Sequence, residues 1–325
     1  MILKLLTHVS RILVGLLFIY SGFVKLVDPI GSQYKFQEYF SEGVLNMEFL
    51  IPYTLPFSIL LIVVELVLGV MLLVGYKPKL TVWSLFSLNL VFLFLTWYSY
   101  TYNKVTDCGC FGDALKLTPK ETFYKNVVFM IFIIILIVGL KYIKPLISNK
   151  ISTVITYTSL LFSLIIVYHV LNHLPIIDFR AYAIGTNISE GMKYQEGGDD
   201  VPPIHDFMIE TDDDGDQLES MLAKEKAMLV LMYNFDKTEK EGIAAVSKAA
   251  ADAKAKGYKI YVLTASYIED LAATQKEFNL PYTFGFCDET ALKTVIRANP
   301  GIVTVEKGII VGKWNWTDAE DVILK

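Results

Sequence analysis

The chain has 325 residues, enough for about two domains, and 54% of them are hydrophobic; with a mean hydropathy of +0.45, this excludes an ordinary soluble protein and points to the membrane. The formal net charge of -5 is unevenly divided: up to Asn172 there are 13 Lys and Arg against 8 Asp and Glu, a net of +5, and beyond it 16 against 26, a net of -10. A membrane half with basic loops and an acidic soluble half follow from that split, and a basic nucleic-acid-binding surface is excluded.

In chain order, Lys4, His8 and Arg11 precede an apolar run from Ile12 to Val27. No small-x-small cleavage site follows it, so the run is expected to stay as a first membrane helix. Asp28-Pro29 stops it, because proline cannot continue a helix there. Residues 31–53 mix aromatic and polar side chains, with Tyr34, Phe36, Tyr39 and Phe40 suited to a membrane interface. Further apolar runs cover Thr54 to Gly75, Leu80 to about Tyr98, Val127 to Leu140 and Ile151 to Leu171. With their flanks, each is long enough to span a bilayer. Thr118-Pro119 reads as an N-cap and first helical position ahead of the fourth run.

Between the third and fourth runs lies Asp107-Cys108-Gly109-Cys110-Phe111-Gly112-Asp113, which holds two of the chain's three cysteines. A thiol needs exposure and a nearby partner to do redox work, and Gly109 lets the two sulfurs approach. A Cys-x-Cys disulfide closes a very small ring, and strained disulfides tend to be labile. Half of a metal site and a pair of inert loop cysteines are the other readings; the flanks offer carboxylates rather than further Cys or His ligands. The scattered His8, His169, His173 and His205 have no metal-binding spacing, and no metal site is expected.

Two ionisable residues, Lys25 and Glu65, fall within the first two spans, where charge is costly unless paired or facing a cavity. Lys25 can snorkel toward an interface. Glu65 is expected to be protonated, paired with Lys25 or hydrogen-bonded across the bundle, serving either as structural glue or as a proton relay beside a redox centre. Asn89 and Asn172 read as inter-helix hydrogen-bonding residues. The N-terminus, Lys77/Lys79 and Lys141/Lys144/Lys150 are basic, so the positive-inside rule predicts that they are cytoplasmic and that the cysteine loop and the C-terminal half lie outside.

Beyond His173, residues 174–192 read as a connector at the membrane surface. His205 to Ile209 reads as a strand, closed by a turn at residues 212–216. That acidic run mimics the start of a calcium loop, but its twelfth position is Met221 where a glutamate is needed. Buried strands are expected at Ala227 to Tyr233, Lys259 to Thr264, Tyr282 to Phe286, Ile302 to Val305 and Ile309 to Lys313. Helices are expected at Lys240 to Lys256, Ile268 to Phe278 and Glu289 to Arg297, in the alternation of a sheet with crossover helices. Cys287 ends the third of those strands; it is a buried small residue or the acceptor of a disulfide from Cys108 and Cys110.

Ser21-Gly22-Phe23-Val24-Lys25-Leu26 with Asp28-Pro29, Glu65-Leu66-Val67-Leu68-Gly69, and Cys108-Gly109-Cys110-Phe111-Gly112 resemble the DoxX/MauE group of small four-helix membrane proteins. The C-terminal half is similar to thioredoxin-like domains, with Pro300 where that family places a cis-proline before a hairpin. Where the family carries Cys-x-x-Cys, this chain has Asn234-Phe235-Asp236-Lys237-Thr238. The combination resembles two-part membrane proteins of Bacteroidetes-type bacteria. The expected architecture is a helical membrane bundle over 1–145, a fifth transmembrane helix over 146–173, a membrane-surface connector over 174–203 and a thioredoxin-like α/β domain over 204–325.

The resemblance implies a bacterial inner-membrane protein with a periplasmic C-terminal domain, in contact with lipid and with a periplasmic or membrane protein partner. It implies a thiol-disulfide redox protein with Cys108, Cys110, Glu65 and Lys25 as site residues, and it makes a quinone in the bundle the candidate cofactor. The alternative is a non-enzymatic assembly or scaffold subunit whose thioredoxin-like domain binds a partner.

Overall fold

The computed structural model describes residues 1–105, 109–194, 201–211 and 215–325. The chain divides into two compact units, Met1–Leu171 and Asn172–Lys325.

The first unit is helical, and the chain is that of a membrane protein: five of its helices are long and apolar enough to cross a bilayer. Helix α1 (Ile2–Leu26) begins ten residues before the apolar run does, because Lys4, His8 and Arg11 do not interrupt a helix. Asp28 does more than end it. Its side chain accepts a hydrogen bond from Gly31 N at 3.0 Å, and with Pro29 at the first position it starts α2 (Pro29–Phe40). A 3-10 turn then leads into α3 (Thr54–Val74), and α4 (Pro78–Tyr102) follows. Thr118 and Glu121 form a reciprocal capping box at the start of α5 (Pro119–Val138). The fifth long helix is α6 (Asn149–Asn172).

Helices α1 and α3 pack closely because Gly22 has no side chain. A Cβ there would stand 2.9 Å from the Leu66 nitrogen. Val14 and Phe18 of α1 join Leu68 and Leu72 of α3, Val82 and Leu85 of α4, and Ile133 and Leu136 of α5 in one core. Ile166, Val167 and Val170 bring α6 against Leu26, Ile62 and Leu66. Arg11 is buried and donates to Leu72 O, Leu73 O and Lys144 O at 2.8, 2.8 and 3.0 Å. It thereby bonds two carbonyls of the last turn of α3 and joins them to Lys144.

The second unit is a mixed sheet with helices, the architecture of a thioredoxin-like domain. Its elements are α7 (Ile188–Gly191), β1 (Glu210–Thr211), β2 (Gly215–Asp216), α8 (Leu218–Leu222), β3 (Ala227–Leu231), α9 (Lys240–Ala255), β4 (Lys259–Thr264), α10 (Leu271–Phe278), β5 (Thr283–Phe286), α11 (Glu289–Val295), β6 (Gly301–Glu306) and β7 (Ile309–Asn315). Among the described residues the strand order is β2-β1-β5-β4-β3-β6-β7. The pairs β3–β4 and β4–β5 are parallel, and β3–β6 and β6–β7 antiparallel. Strand β3 is apolar throughout because it has a core on both sides. Ala227, Leu229 and Leu231 point into one, and Met228 and Val230 into the other.

Two segments differ from their sequence reading. The stretch His205 to Ile209 is not a strand. Phe207 and Ile209 are buried in the first of those cores, but the ladder begins only at Glu210, opposite Phe286; the Ile209 nitrogen is taken by the Asp216 carboxylate at 3.1 Å. The stretch after Leu174 supplies Tyr182 and Ile188 to the same core. It also runs along β7: Gly185 N donates to Ile310 O, Ile310 N to Thr186 O and Ile188 N to Gly308 O, at 2.7 to 3.0 Å. An edge strand is thereby covered. The acidic turn at residues 212–214 lies outside the described residues.

Candidate functional site

In the membrane unit, the two ionisable side chains of the first two long spans meet. Lys25, the penultimate residue of α1, places Nζ 2.5 Å from Glu65 Oε2 on α3, and both side chains are almost fully buried. The close helix contact at Gly22 brings the two backbones within reach. Lys25 does not snorkel; its ammonium lies inside the bundle, 5.4 Å from the centroid of the Phe92 ring on α4. An ion pair in an apolar interior is seldom more stable than a well-packed apolar replacement.

The cysteine loop is fastened to the same end of the bundle. Cys108 lies outside the described residues, as does Asp107. Gly109 has φ +62° and sits so close to Lys35 of α2 that a Cβ would stand 2.8 Å from the lysine Cγ; only glycine satisfies both conditions. Ser21 Oγ of α1 donates to the Cys110 carbonyl at 2.7 Å. Phe111 is buried, with its ring 5.6 Å from that of Tyr20 and the Lys125 ammonium 4.3 Å from its centroid. Three helices thus hold the second half of the motif.

Beneath this loop is a cavity of about 60 Å³ whose walls include Lys25, Phe36, Tyr39, Phe92, Thr96 and Cys110. Its polar wall continues into the bundle. The Tyr39 hydroxyl is 3.2 Å from Ser99 Oγ, Asn126 Nδ2 donates to Thr96 Oγ1 at 3.2 Å, and Asn89 Nδ2 donates to Asn126 O at 3.1 Å. Asn89 therefore links α4 to α5, in the inter-helix role expected of it. Tyr39, Thr96 and Lys35 were not marked as site residues by sequence. The available signal was the spacing of Asn89, Thr96 and Ser99, which puts polar groups along one side of α4.

A cavity of about 60 Å³ has room for a few water molecules, but it lies far below the roughly 300 Å³ at which small-molecule pockets begin. As it stands, the space between Cys110 and Lys25 is smaller than a quinone ring needs. Among the described residues, no three His, Cys, Asp or Glu side chains form a group able to hold a metal ion.

The sheet unit has a different chemistry. The Asn299–Pro300 peptide is cis, as the thioredoxin resemblance implies. Beside it, the loop at 234–238 is closed by polar contacts: the Asn234 carbonyl accepts from Asn299 Nδ2 and from Thr238 Oγ1, both at 2.8 Å, and Phe235 N donates to Ser266 Oγ at 2.9 Å. No cysteine lies in that loop. Cys287 is fully buried, and burial pushes its thiol up to about 12, so it is neither exposed nor ionised as an acceptor of disulfides must be.

A second buried charge cluster ties the start of this unit to β7. Asp178 accepts from Arg180 Nε at 2.6 Å and Nη2 at 2.9 Å, and from Lys313 Nζ at 2.6 Å. Burial pushes the Asp178 carboxyl up, but the two cations outweigh it and hold the group down at about 2. Burial, reinforced by Arg180 and Arg297, lowers the Lys313 amine to about 7 despite Asp178. Asn172, expected to bond between helices, has its carbonyl capped by Asn315 Nδ2 at 3.0 Å and Thr317 Oγ1 at 2.5 Å.

Comparison with curated proteins found no match. Among solved structures, the chain is similar to the solution structure of a thiol:disulfide interchange protein from Bacteroides sp., at 19% identity and a TM-score of 0.26, over 33% of this chain and 76% of that one. Residues 3–139, the stretch that holds α1 to α5 and the cysteine loop, match the family described as "Methylamine utilisation protein MauE".

Proposed function

We propose that this chain is a membrane thiol-disulfide redox protein in which Cys108 and Cys110 exchange with a cysteine-containing partner. The observation that carries this reading is the shared cavity: Cys110 borders the same small space as Lys25, whose ammonium is held by Glu65. A buried ion pair beside a thiol supplies positive charge where a sulfur must ionise. The distribution of Lys and Arg supports a bacterial inner-membrane location with the N-terminus in the cytoplasm and the cysteine loop and sheet unit in the periplasm, where disulfides persist. The partner on this reading is a periplasmic or membrane protein. No quinone step is included in this reading.

Single Cys108→Ser and Cys110→Ser variants test the exchange. One of the two is expected to accumulate a reductant-sensitive mixed disulfide in membranes, and the double variant none. If neither single variant forms an adduct and the double variant functions normally, the redox reading fails. Orientation is checked by reporters: one fused after Lys325 is expected to be active only outside the cytoplasm, and one inserted at Pro78 only inside.

A second reading, an accessory subunit without catalysis, is favoured by one observation. The sheet unit keeps the cis-Pro300 loop but has no thiol at 234–238, and its one cysteine is buried. Such a unit is suited to binding a partner rather than exchanging disulfides with it. The two readings combine if the sheet unit presents the partner and the membrane loop reacts with it.

A further inference from the structure

The local sequence around Cys110 works against a thiolate, because Asp107 and Asp113 flank it. The fold brings cations to the loop from three other elements: Lys25 of α1 in the cavity wall, Lys35 of α2 against Gly109, and Lys125 of α5 over Phe111. They are not equivalent. The Lys35 side chain is partly exposed and bonds Glu38 at 2.8 Å, and Lys125 is spent on an aromatic face. Lys25 is almost fully buried and lines the cavity with Cys110.

We propose that Lys25 is the positioning cation for the Cys110 thiolate and that Glu65 fixes the ammonium in place. This deepens the redox reading and rests on it. The step is an ionisation: the Cys110 S–H bond breaks, the proton leaves through cavity water to solvent, and no electron moves. Glu65 has two consequences. It holds the Lys25 side chain in place at 2.5 Å, and its own charge offsets part of the cation's pull, so the pair is a tuned source of positive potential rather than a bare one. Among the described residues, the charged groups by the loop and its cavity include Lys25 with Glu65 from α1 and α3, Lys35 with Glu38 from α2, Lys125 from α5, and Asp113 within the loop. Lys25 and Lys35 both line the cavity that Cys110 borders; Lys25 is the almost fully buried one of the two, and the less screened by solvent.

The test is the pH profile of Cys110 alkylation by iodoacetamide in the full-length protein in detergent. A Cys108→Ser background leaves Cys110 as the reactive thiol, since Cys287 is buried. In Lys25→Met, the pH of half-maximal alkylation is expected to rise by roughly one unit, the scale of one nearby charge, while Lys25→Arg stays close to the parent. Lys25→Met with Glu65→Gln removes both charges, avoids a lone buried carboxylate, and is expected to show the same rise if Lys25→Met alone does not fold. Lys35→Gln is expected to move the profile less than Lys25→Met does. An unmoved profile in both Lys25→Met variants, or an equal shift in Lys25→Arg, overturns the proposal. Those outcomes leave mixed-disulfide trapping untouched, so this inference and the redox reading fail separately.

Discussion

The chain buries two ionic clusters, one in each unit, and they are built on opposite plans. In the membrane unit one lysine meets one glutamate, the pair is neutral, and a cavity adjoins it. In the sheet unit two cations converge on one carboxylate, leaving an excess of positive charge that further bonds help to hold, such as that from Lys313 to the Tyr182 carbonyl at 3.1 Å. Among the described residues, Arg180 Nη1 has no hydrogen-bond partner there. The difference separates purposes. The neutral pair borders a cavity, whereas the other cluster is packed among its hydrogen-bonding partners. The first suits a site, and the second suits a fastening between segment 178–188 and β7.

The largest effect that would break this comparison is expected from Asp178→Asn. It leaves two buried cations without their counter-charge and should lower the stability of the sheet unit by about 3–5 kcal/mol, measured as the temperature of proteolytic opening in the full-length protein. Lys313→Met, which removes surplus charge, should cost far less. Equal losses in the two variants would mean that the cluster is not arranged around Asp178.

Next comes Gly22→Ala. Its Cβ meets the Leu66 backbone, so α1 and α3 must separate, and overpacking of this kind costs about 1–3 kcal/mol. Thermal aggregation of the purified protein should fall to lower temperature, and Cys110 alkylation should change along with it. A stable Gly22→Ala protein with unchanged alkylation would show that the Lys25–Glu65 pair does not depend on the close contact.

A pH scan sharpens the comparison further. The Lys313 amine is depressed to about 7 from 10.5, so between those values the unfolded unit binds the extra proton and the folded one does not. Stability from this group should rise with pH across that window. Asp178 is depressed from 3.8 to about 2; its contribution is complete above 3.8 and is lost as pH falls toward 2. Opening temperatures measured against pH should show both limbs, and Lys313→Met should flatten the alkaline one. The smallest effect is expected from Thr118→Ala, which removes half of the capping box of α5 and should cost about 1 kcal/mol with no change in the thiol profile.

The elements that sequence made legible are those whose residues repeat. Strand β3 is an unbroken apolar run because it is covered on both faces, and Thr118-Pro119 announces a helix start by its chemistry. What escaped is contributed by single residues at irregular spacing. Tyr182 and Ile188 belong to the core of the sheet unit, but they stand in a stretch with no period of 2 or 3.6 and so read as a connector. Arg11 looked like any basic flank of a membrane helix; two of its three carbonyl bonds go to the end of α3, more than sixty residues away, and the third to Lys144. The site was half visible. A lysine and a glutamate in apolar spans demand a partner, and pairing was among the expected solutions. Their cavity was not visible, because Tyr39, Thr96 and Cys110 come from a surface-type helix, an apolar span and a loop that only the fold assembles.

The strip at 185–188 along β7 also sets an order of events during synthesis. Its bonding partners, Gly308 to Ile310, are made about 120 residues later, a delay on the order of ten seconds at ordinary elongation rates. Until they arrive, Tyr182 and Ile188 have left the translation machinery with no β7 to dock against, and the first part of the sheet unit to emerge is among the last to be fixed. A ribosome stalled before Gly308 would therefore display a finished membrane bundle followed by an open, protease-sensitive strip, and release of the last strands would close both ends of the unit in a single step.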